Sequence, residues 1–369
     1  MDFSLSEEQR QLEETVRRFM AKDYAFEKRR VIRDSAEGWS REAWQALADL
    51  GLLALNVPEE YGGLGAGPVD TMVAMNALGP GLLLEPYLAS AVVATALLRE
   101  CPQHAGLMEQ MAAGECIAVL AHDEPGARGD PGYVATRCRP AGTDFQIDGR
   151  KCVVGHAAAA DWLIVSARGE DGDIVLFLVP LDTPGLSLDG YPTLDGTRAA
   201  EVHLTGVRLP ETARLDADRE VLGRALDIGL AALCAEAVGI MKAALDATVD
   251  YLRTRQQFGQ PIGRFQALQH RAADMLMHYE QAKSMSTLAA MRCTSKDARE
   301  RRRALSAAKV TIGRAACFIG QQAVQLHGGM GMSDELVVSH WFKRLTAIEL
   351  MFGDTDTHLQ QFIEISAQS

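Results

Sequence analysis

The chain from about Val221 to its end carries the pattern that most limits the fold: long apolar runs at helical spacing, separated only by short breaks. Each run lacks proline and is rich in Ala, Leu and Met, which favours helix formation. Short connections place consecutive helices antiparallel, so the pattern predicts an up-down four-helix bundle and a short closing helix. The predicted helices are Leu222–Thr254, Phe265–Cys293, Ala298–Leu326, Asp334–Leu350 and Thr357–Ile365.

The chain before this region shows two different sequence patterns, one after the other. Helical periodicity dominates first, with Ser4 and Glu7 as a candidate capping box and Ser40 as a candidate N-cap. Short β-rich runs follow, and Asp148-Gly149 and Asp171-Gly172 are hairpin turn signals. The sequence therefore predicts an α+β multidomain fold: an N-terminal α-helical domain over 1–114, a central β-sandwich or barrel over 115–212, and the C-terminal helical bundle over 213–369.

Charge and composition narrow the function classes. The 369 residues carry a net charge of −12, which disfavours nucleic acid and anionic membrane surfaces as partners. No apolar run approaches the length of a membrane span, and the acidic N-terminus does not resemble a targeting peptide. The seven cysteines are scattered, and the histidines lack metal-ligand spacing, so we expect free thiols, no metal site and a cytoplasmic protein.

Two segments in the helical region carry groups suited to an anionic ligand. Arg255 ends a helix before a Gly-Gln-Pro turn, and a guanidinium matches two phosphate oxygens at once. Phe258 offers a flat apolar face, while Gln266 and Gln325 can both donate and accept. Gly328-Gly329 lets a ligand approach the backbone closely. The alternative is that Arg255 only caps its helix and the glycines only turn the chain.

The order of domains and four motifs resembles the acyl-CoA dehydrogenase family along the whole chain. The motifs are Pro58-Glu59-Glu60-Tyr61-Gly62-Gly63, Glu124-Pro125-Gly126-Ala127, Arg255-Gln256-Gln257-Phe258-Gly259-Gln260-Pro261-Ile262 with Phe265-Gln266, and Gln325-Leu326-His327-Gly328-Gly329-Met330-Gly331-Met332. This resemblance implies FAD as cofactor, an acyl-CoA thioester as substrate and electron-transfer flavoprotein as acceptor.

The resemblance also implies roles for individual residues. The residues implied to bind the adenosine diphosphate half of FAD, for a flavin lodged in the neighbouring subunit, are Arg255, Phe258, Gln266, Gln325, Gly328 and Gly329. His327 lies in the glycine turn beside one of these expected cofactor contacts, and we do not expect it to take part in the chemistry.

Several positions depart from the family pattern. The usual catalytic glutamate corresponds to Gly353, and the position that carries the base in some relatives is Gly229. Other groups that serve a subunit's own flavin and substrate are also replaced. These replacements are Asp123, Arg128, Gly129, Val153-Val154-Gly155 and Leu230.

Asp354 is the first candidate for a relocated base, because it adjoins the position of the lost glutamate. Asp356 is a weaker candidate, and Glu349 could share the face if the helix continues through Gly353. The alternative is that Asp354, Asp356 and Thr357 cap the last helix.

The departures fall on the groups that serve the chain's own flavin, whereas the contacts to a partner's flavin are retained. We therefore expect a subunit of a heteromeric acyl-CoA dehydrogenase that lacks a competent site and pairs with a homologous catalytic subunit. The chain looks similar to small subunits of pimeloyl-CoA or steroid-side-chain dehydrogenases in lipid or steroid catabolism, which implies an α₂β₂ heterotetramer with half as many flavins as chains. The alternatives are a homo-oligomeric acyl-CoA dehydrogenase with Asp354 as base, or a flavoprotein with different chemistry.

Overall fold

The computed structural model describes residues 4–127 and 129–367. Contacts divide the chain into two compact units, each assembled from separate stretches. The first contains Met1–Arg29, Pro68–Leu83 and Leu230–Ser369, and the second contains Arg30–Gly67 and Leu84–Gly229. The predicted domain bounds stay a prediction.

Helices make up both ends of the chain. Within the described residues they are α1 (Glu7–Lys22), α2 (Phe26–Arg33), α3 (Arg41–Asp49), α4 (Pro68–Leu78), α5 (Thr95–Leu98), α6 (Ala105–Ala112), α7 (Arg219–Thr254), α8 (Gln266–Arg292), α9 (Ala298–His327), α10 (Val337–Leu350) and α11 (Thr355–Ala367). A π-helix, Tyr87–Ala94, leads directly into α5. The predicted long C-terminal helices are therefore confirmed, with small shifts at their ends.

The N-cap of α1 differs from the prediction. Ser6, not Ser4, accepts from the backbone N–H of Gln9, and the Gln9 side chain accepts from Ser6 in return. The capping box is thus displaced by two residues, so that the apolar face of α1 stays in register with the core. Ser40 caps α3 through the Ala43 N–H, as predicted.

The central strands form one seven-stranded sheet in the order β1-β4-β2-β3-β7-β6, with β5 paired to β4. The strands are β1 (Ala118–Ala121), β2 (Arg137–Ala141), β3 (Asp144–Gly155), β4 (Trp162–Arg168), β5 (Ile174–Pro180), β6 (Leu186–Pro192) and β7 (Arg198–Pro210). The predicted fold class, with a β-domain between two helical regions, is confirmed.

Asp148-Gly149 is not a hairpin turn. The dipeptide lies inside β3, where the pairing with β7 shifts register. The Asp148 carboxylate accepts from the Gly206 N–H at 2.6 Å, and a Cβ at Gly149 would come within 2.4 Å of the Thr136 hydroxyl. Asp148 and Gly149 therefore lie at a β-bulge where the backbone passes close to Thr136. Bulges and turns favour similar residues, which explains the wrong prediction. The turn at Asp171-Gly172, between β4 and β5, is confirmed.

In the C-terminal part of the first unit, α9 lies against α8, α10 and α11. Glycines allow the close contacts, since a Cβ at Gly320 would lie 3.2 Å from Phe342 and one at Gly313 would lie 2.6 Å from the Thr355 hydroxyl. A buried ion pair ties α7 to α10, with Arg344 donating to both carboxylate oxygens of Glu236 at 2.6 and 2.8 Å. These contacts pack together the helices that flank the segments described below.

The expectation that no apolar run approaches the length of a membrane span is wrong for one described helix, because α7 is long and apolar enough to cross a membrane by length and composition alone. However, 83% of its most apolar window is buried inside the protein, as in the core helix of a folded domain. The cysteines at all seven positions are free, as predicted.

Candidate functional site

The connection from α7 to α8 is a miniature hairpin. Two-residue strands, β8 (Gln256–Gln257) and β9 (Gln260–Pro261), pair across Phe258 and Gly259, which both have positive φ of 53° and 75°. Two such residues form a type I′ turn, which Asn-Gly suits and a phenylalanine does not. Phe258 is also 89% exposed. A strained and exposed aromatic residue indicates a surface built to meet a ligand or partner.

The end of α9 offers open backbone. Gly328 has φ 61° and ψ −140°, a conformation that other residues avoid. A Cβ at Gly328 or Gly329 would meet nothing within 4 Å, whereas one at Gly331 would lie 2.4 Å from the Val324 carbonyl oxygen. Gly331 therefore serves packing, while the first two glycines line open space.

These two segments meet in one groove of the first unit, with a cavity volume of about 690 Å³. Arg255 and Arg271 are its charged lining residues, and both are exposed. Among the described residues, the Arg255 side chain has no ion-pair or hydrogen-bond partner, which leaves its guanidinium available to an anion. The groove is lined by Tyr251, Arg255, Gln257, Ile262, Ala267, Leu268, Arg271, Gln325, Leu326, His327, Gly328, Gly329 and Met330.

The structure brings together part of the predicted set. Arg255, Gln325, Gly328 and Gly329 line the groove, whereas Phe258 and Gln266 are exposed but are not among its lining residues. Phe258 instead packs edge-on against Phe265, with the two ring centroids 6.0 Å apart. The roles of all six residues remain predictions. The sequence analysis did not predict Tyr251 or Arg271 as groove residues. Arg271 lies four residues after Ala267, so helical spacing places both of these lining residues on one face of α8.

His327 forms part of the groove wall. Its Nδ1 lies 2.8 Å from the Ala323 carbonyl oxygen, and its ring packs on Tyr251 with centroids 4.5 Å apart. Because a carbonyl only accepts, Nδ1 carries the proton. Burial lowers the pKa of His327, so the ring is neutral at physiological pH. These contacts favour a structural role in the wall.

The position expected to hold a catalytic carboxylate lies in a left-handed turn. Phe352 and Gly353 have φ of 57° and 92°, and Gly353 is buried. A Cβ at Gly353 would lie 3.2 Å from Nε2 of His358, which itself bonds the Phe352 carbonyl oxygen at 2.9 Å. Lys309 donates to the carbonyl oxygens of Ile348 and Met351 at 2.6 and 2.7 Å. The turn is thus held in a conformation that favours glycine.

The nearby carboxylates are engaged. Asp354 precedes α11 and accepts from the Thr357 N–H at 2.8 Å. Hydrogen bonds from the Thr357 hydroxyl and N–H hold the pKa of Asp354 below its ordinary value, which weakens it as a base. Glu349 accepts from the Thr355 N–H at 2.9 Å, and Asp356 is exposed. The geometry therefore favours the capping interpretation of Asp354, while its catalytic role remains an untested prediction.

Among the described residues of the second unit, the replaced positions offer no hydroxyl or aromatic ring to a ligand. Asp123 and Gly129 are exposed, and a Cβ at Gly155 would meet nothing within 4 Å. Val153 lies on a β3 bulge with φ 51° and is 59% exposed, which is a strained conformation for a β-branched residue. Arg128 lies outside the described residues.

Glu124, in the Glu-Pro-Gly-Ala loop, serves an internal ion pair. Its carboxylate accepts from Lys151 Nζ at 2.6 Å and from the backbone N–H groups of Ala135 and Thr136. Lys151 also donates to the His122 carbonyl oxygen and to the Ser166 hydroxyl. Burial lowers the pKa of Lys151 to about 8, so the lysine remains charged at pH 7. This buried network supports the loop and was not predicted.

On α7 lie two further positions that the family resemblance singled out, and neither carries a side chain suited to catalysis. Gly229 provides no base, and Leu230 is 4% exposed and apolar. The described residues therefore combine a groove suited to an anionic ligand with two expected base positions, Gly229 and Gly353, that lack a carboxylate.

Comparison with known proteins places the chain in a family. Models of the N-terminal, middle and C-terminal domains of acyl-CoA dehydrogenases match residues 6–115, 120–207 and 219–366. The chain is 30% identical to the probable acyl-CoA dehydrogenase YngJ of Bacillus subtilis, with 98% of each chain covered. It is 29% identical to the benzylmalonyl-CoA dehydrogenase of Aromatoleum aromaticum, with 93% of each covered.

Among solved structures, a variant of the steroid acyl-CoA dehydrogenase Tcur3481-Tcur3483 superimposes with a TM-score of 0.91. That chain is 28% identical, and 99% of each chain is covered. Similarity thus extends over the whole chain, in sequence and in structure. The chain belongs to the acyl-CoA dehydrogenase family of oxidoreductases, whose cofactor is FAD.

Proposed function

We propose that this chain is a subunit of a heteromeric FAD-dependent acyl-CoA dehydrogenase, in which a homologous partner supplies the catalytic base. The observation that carries the proposal is the contrast between two places in the first unit. The groove retains Arg255, whose side chain has no partner in the described part of the chain, beside open glycine backbone, whereas the expected base position, Gly353, lies in a left-handed turn.

The groove fits the adenosine diphosphate half of FAD. An unpaired guanidinium provides charge-assisted hydrogen bonds to a phosphate. The open space at Gly328 and Gly329 lets a ligand reach the backbone N–H groups, and the Tyr251 and His327 rings give the wall an aromatic surface. In the proposed assembly this ligand is the partner's flavin, so the groove completes a site whose chemistry takes place in the other subunit.

The reaction requires a base that this chain does not provide at the usual position. In α,β-desaturation a carboxylate removes the α-proton of an acyl thioester, and the FAD accepts the β-hydride. General-base catalysis contributes roughly 10²–10⁴-fold to such a step. A site that has lost the carboxylate is therefore expected to retain at most a small fraction of its activity.

A paired assembly has a precedent among the similar structures. The steroid dehydrogenase described above carries the double name Tcur3481-Tcur3483, which supports an assembly of two different chains. We infer a related arrangement here, with an acyl-CoA thioester as substrate, electron-transfer flavoprotein as acceptor and a cytoplasmic location. The acyl group belongs in this proposal to lipid or steroid catabolism.

Flavin stoichiometry tests the proposed function. The full-length chain is expressed alone and together with a homologue that retains the glutamate. Alone, it is expected to hold little FAD and to show no dye-linked dehydrogenase activity. The co-purified complex is expected to hold one FAD for every two chains and to be active. One FAD per chain together with activity of the isolated chain would contradict the proposal.

Asp354→Asn separates this proposal from a homo-oligomer that uses Asp354 as base. Asparagine keeps the N-cap but cannot accept the α-proton, so we expect turnover of the complex to change by less than about twofold, with unchanged thermal stability. Asp354→Ala serves as the control and should cost about 1 kcal/mol of stability, because the cap is lost. A fall in turnover of about 10²-fold or more for Asp354→Asn, with flavin retained, would show that Asp354 is the base.

A further inference from the structure

The groove contains a second cation that the family motifs did not indicate. Arg271 lies on α8, a different element from Arg255 at the end of α7, and both guanidiniums line the same cavity. No acidic side chain is among the described residues that line it. The first acidic residue of α8, Asp274, lines a separate and smaller pocket with His278 and Phe318. The groove therefore carries two positive charges in a chain whose net charge is −12.

Arg271 is oriented by a hydrogen bond to the neighbouring helix α9. Its Nη1 donates to the side-chain oxygen of Gln322 on α9 at 3.2 Å. Gln322 precedes Gln325 by one helical turn, so this bond ties Arg271 to the helix that supplies Gln325 and the glycine turn. A guanidinium has five N–H donors, and one bond to a neutral amide leaves the others and the full positive charge for a ligand. Prior orientation lowers the entropy cost of binding.

We propose that Arg271 is a second phosphate-binding residue, which makes the groove selective for a nucleoside diphosphate over a monophosphate. The inference rests on the proposed function, because it assigns a further contact to the same nucleotide. Two cations on different segments, one directly after α7 and one on α8, can each engage one phosphate of a diphosphate. A monophosphate lacks the second phosphate and gains less from the second guanidinium.

The test uses the full-length wild-type chain and calorimetric titration with ADP and with AMP, at low and at moderate salt. Arg271→Met removes the second charge and keeps a similar apolar stem. Arg264→Met is the matched control, because Arg264 is also exposed and lies in the turn just before α8 but does not line the groove. Arg255→Met reports on the first cation, and urea unfolding of each variant verifies that the fold is retained.

We expect wild type to bind ADP more tightly than AMP. Arg271→Met should weaken ADP binding by about tenfold or more, since charge-assisted hydrogen bonds are lost, and should weaken AMP binding clearly less. The salt dependence of ADP binding should also decrease in this variant. Arg264→Met should bind both nucleotides within about twofold of wild type.

The outcomes separate the inference from the function on which it rests. If Arg271→Met binds ADP like wild type while Arg255→Met does not, the inference is wrong and the nucleotide groove stands. Equal weakening by Arg271→Met and Arg264→Met would also overturn it, because net charge alone would explain the effect. If wild type binds neither nucleotide, both the inference and the assignment of the groove are wrong.

Discussion

Replacing Gly353 with glutamate is expected to yield no desaturation activity in the isolated chain and to lower the free energy of unfolding by about 2–4 kcal/mol. The backbone at this position has φ 92°, where an L-residue costs about 1–2 kcal/mol. The new Cβ would press on His358 Nε2 at 3.2 Å, and the carboxylate would enter a buried turn in which Lys309 already donates to two carbonyl oxygens. A glutamate at this position is therefore not expected to act as a base.

Two alanine variants isolate the backbone contribution. Gly353→Ala should lose about 1–2 kcal/mol, since the methyl group alone forces the left-handed strain. Gly106→Ala is the matched control, because Gly106 is exposed inside α6 and its Cβ would meet nothing within 4 Å. That change should raise stability by about 0.5–1 kcal/mol. The measurements are urea unfolding and dye-linked turnover, and a stable, active Gly353→Glu chain would refute this account of the turn.

Lys151→Met is expected to lower the free energy of unfolding by about 3–5 kcal/mol at pH 7. Lys151 and Glu124 form an ion pair in which both side chains are almost fully buried. Burial alone would raise the pKa of Glu124, but hydrogen bonds and the charge of Lys151 bring it below its ordinary value. Without the lysine, the carboxylate stays buried and loses its compensating cation, which is the costly state.

The pH dependence has a definite sign. In wild type, the depressed pKa of Glu124 contributes stability above its ordinary pKa, and this contribution is lost on acidification. In Lys151→Met the folded-state pKa of Glu124 should instead be raised, so the deficit should shrink as the pH falls from 7 towards 5. Denaturant unfolding at both pH values measures this difference.

A neighbouring pair provides the control for Lys151→Met. Arg150 pairs with Glu201 at 3.1 Å, but its side chain is 53% exposed, so Arg150→Met should cost at most about 1 kcal/mol. Combining Lys151→Met with Glu124→Gln should recover about 1 kcal/mol or more, because the unpaired charge is removed. Equal losses for Lys151→Met and Arg150→Met would show that the buried pair has no special weight.

Local sequence signals predicted secondary structure well where the conformation of a segment depends only on that segment. Proline-free periodicity in α7 to α10 predicted long helices because the i, i+4 spacing is a property of the segment itself. The same reasoning failed at Asp148-Gly149, where a bulge and a turn use similar residues and only the pairing of β3 with β7 distinguishes them. The capping box moved to Ser6 for a related reason, since several serines near α1 could serve.

The same distinction holds for the residues of the site: sequence motifs indicated some of them, and only tertiary contacts revealed the others. The family motifs indicated Arg255, Gln325 and the glycines, and the structure brings these into one groove. Arg271 was missed because its relevance depends on α8 lying beside α9, through a contact 51 residues apart in sequence. Lys151 was missed because an isolated lysine in a strand gives no sign that it will be buried against Glu124.

By itself, the sequence determined the family and the identity of the side chains available for chemistry, including the glycine at position 353, where the family resemblance leads us to expect a catalytic glutamate. Side-chain identity is independent of folding. Only the tertiary structure decided that Gly353 lies in a left-handed turn held by Lys309 and His358, because those contacts come from α9 and α11. It also decided that Asp354 caps α11, since a carboxylate acts as cap or base according to the donors that reach it.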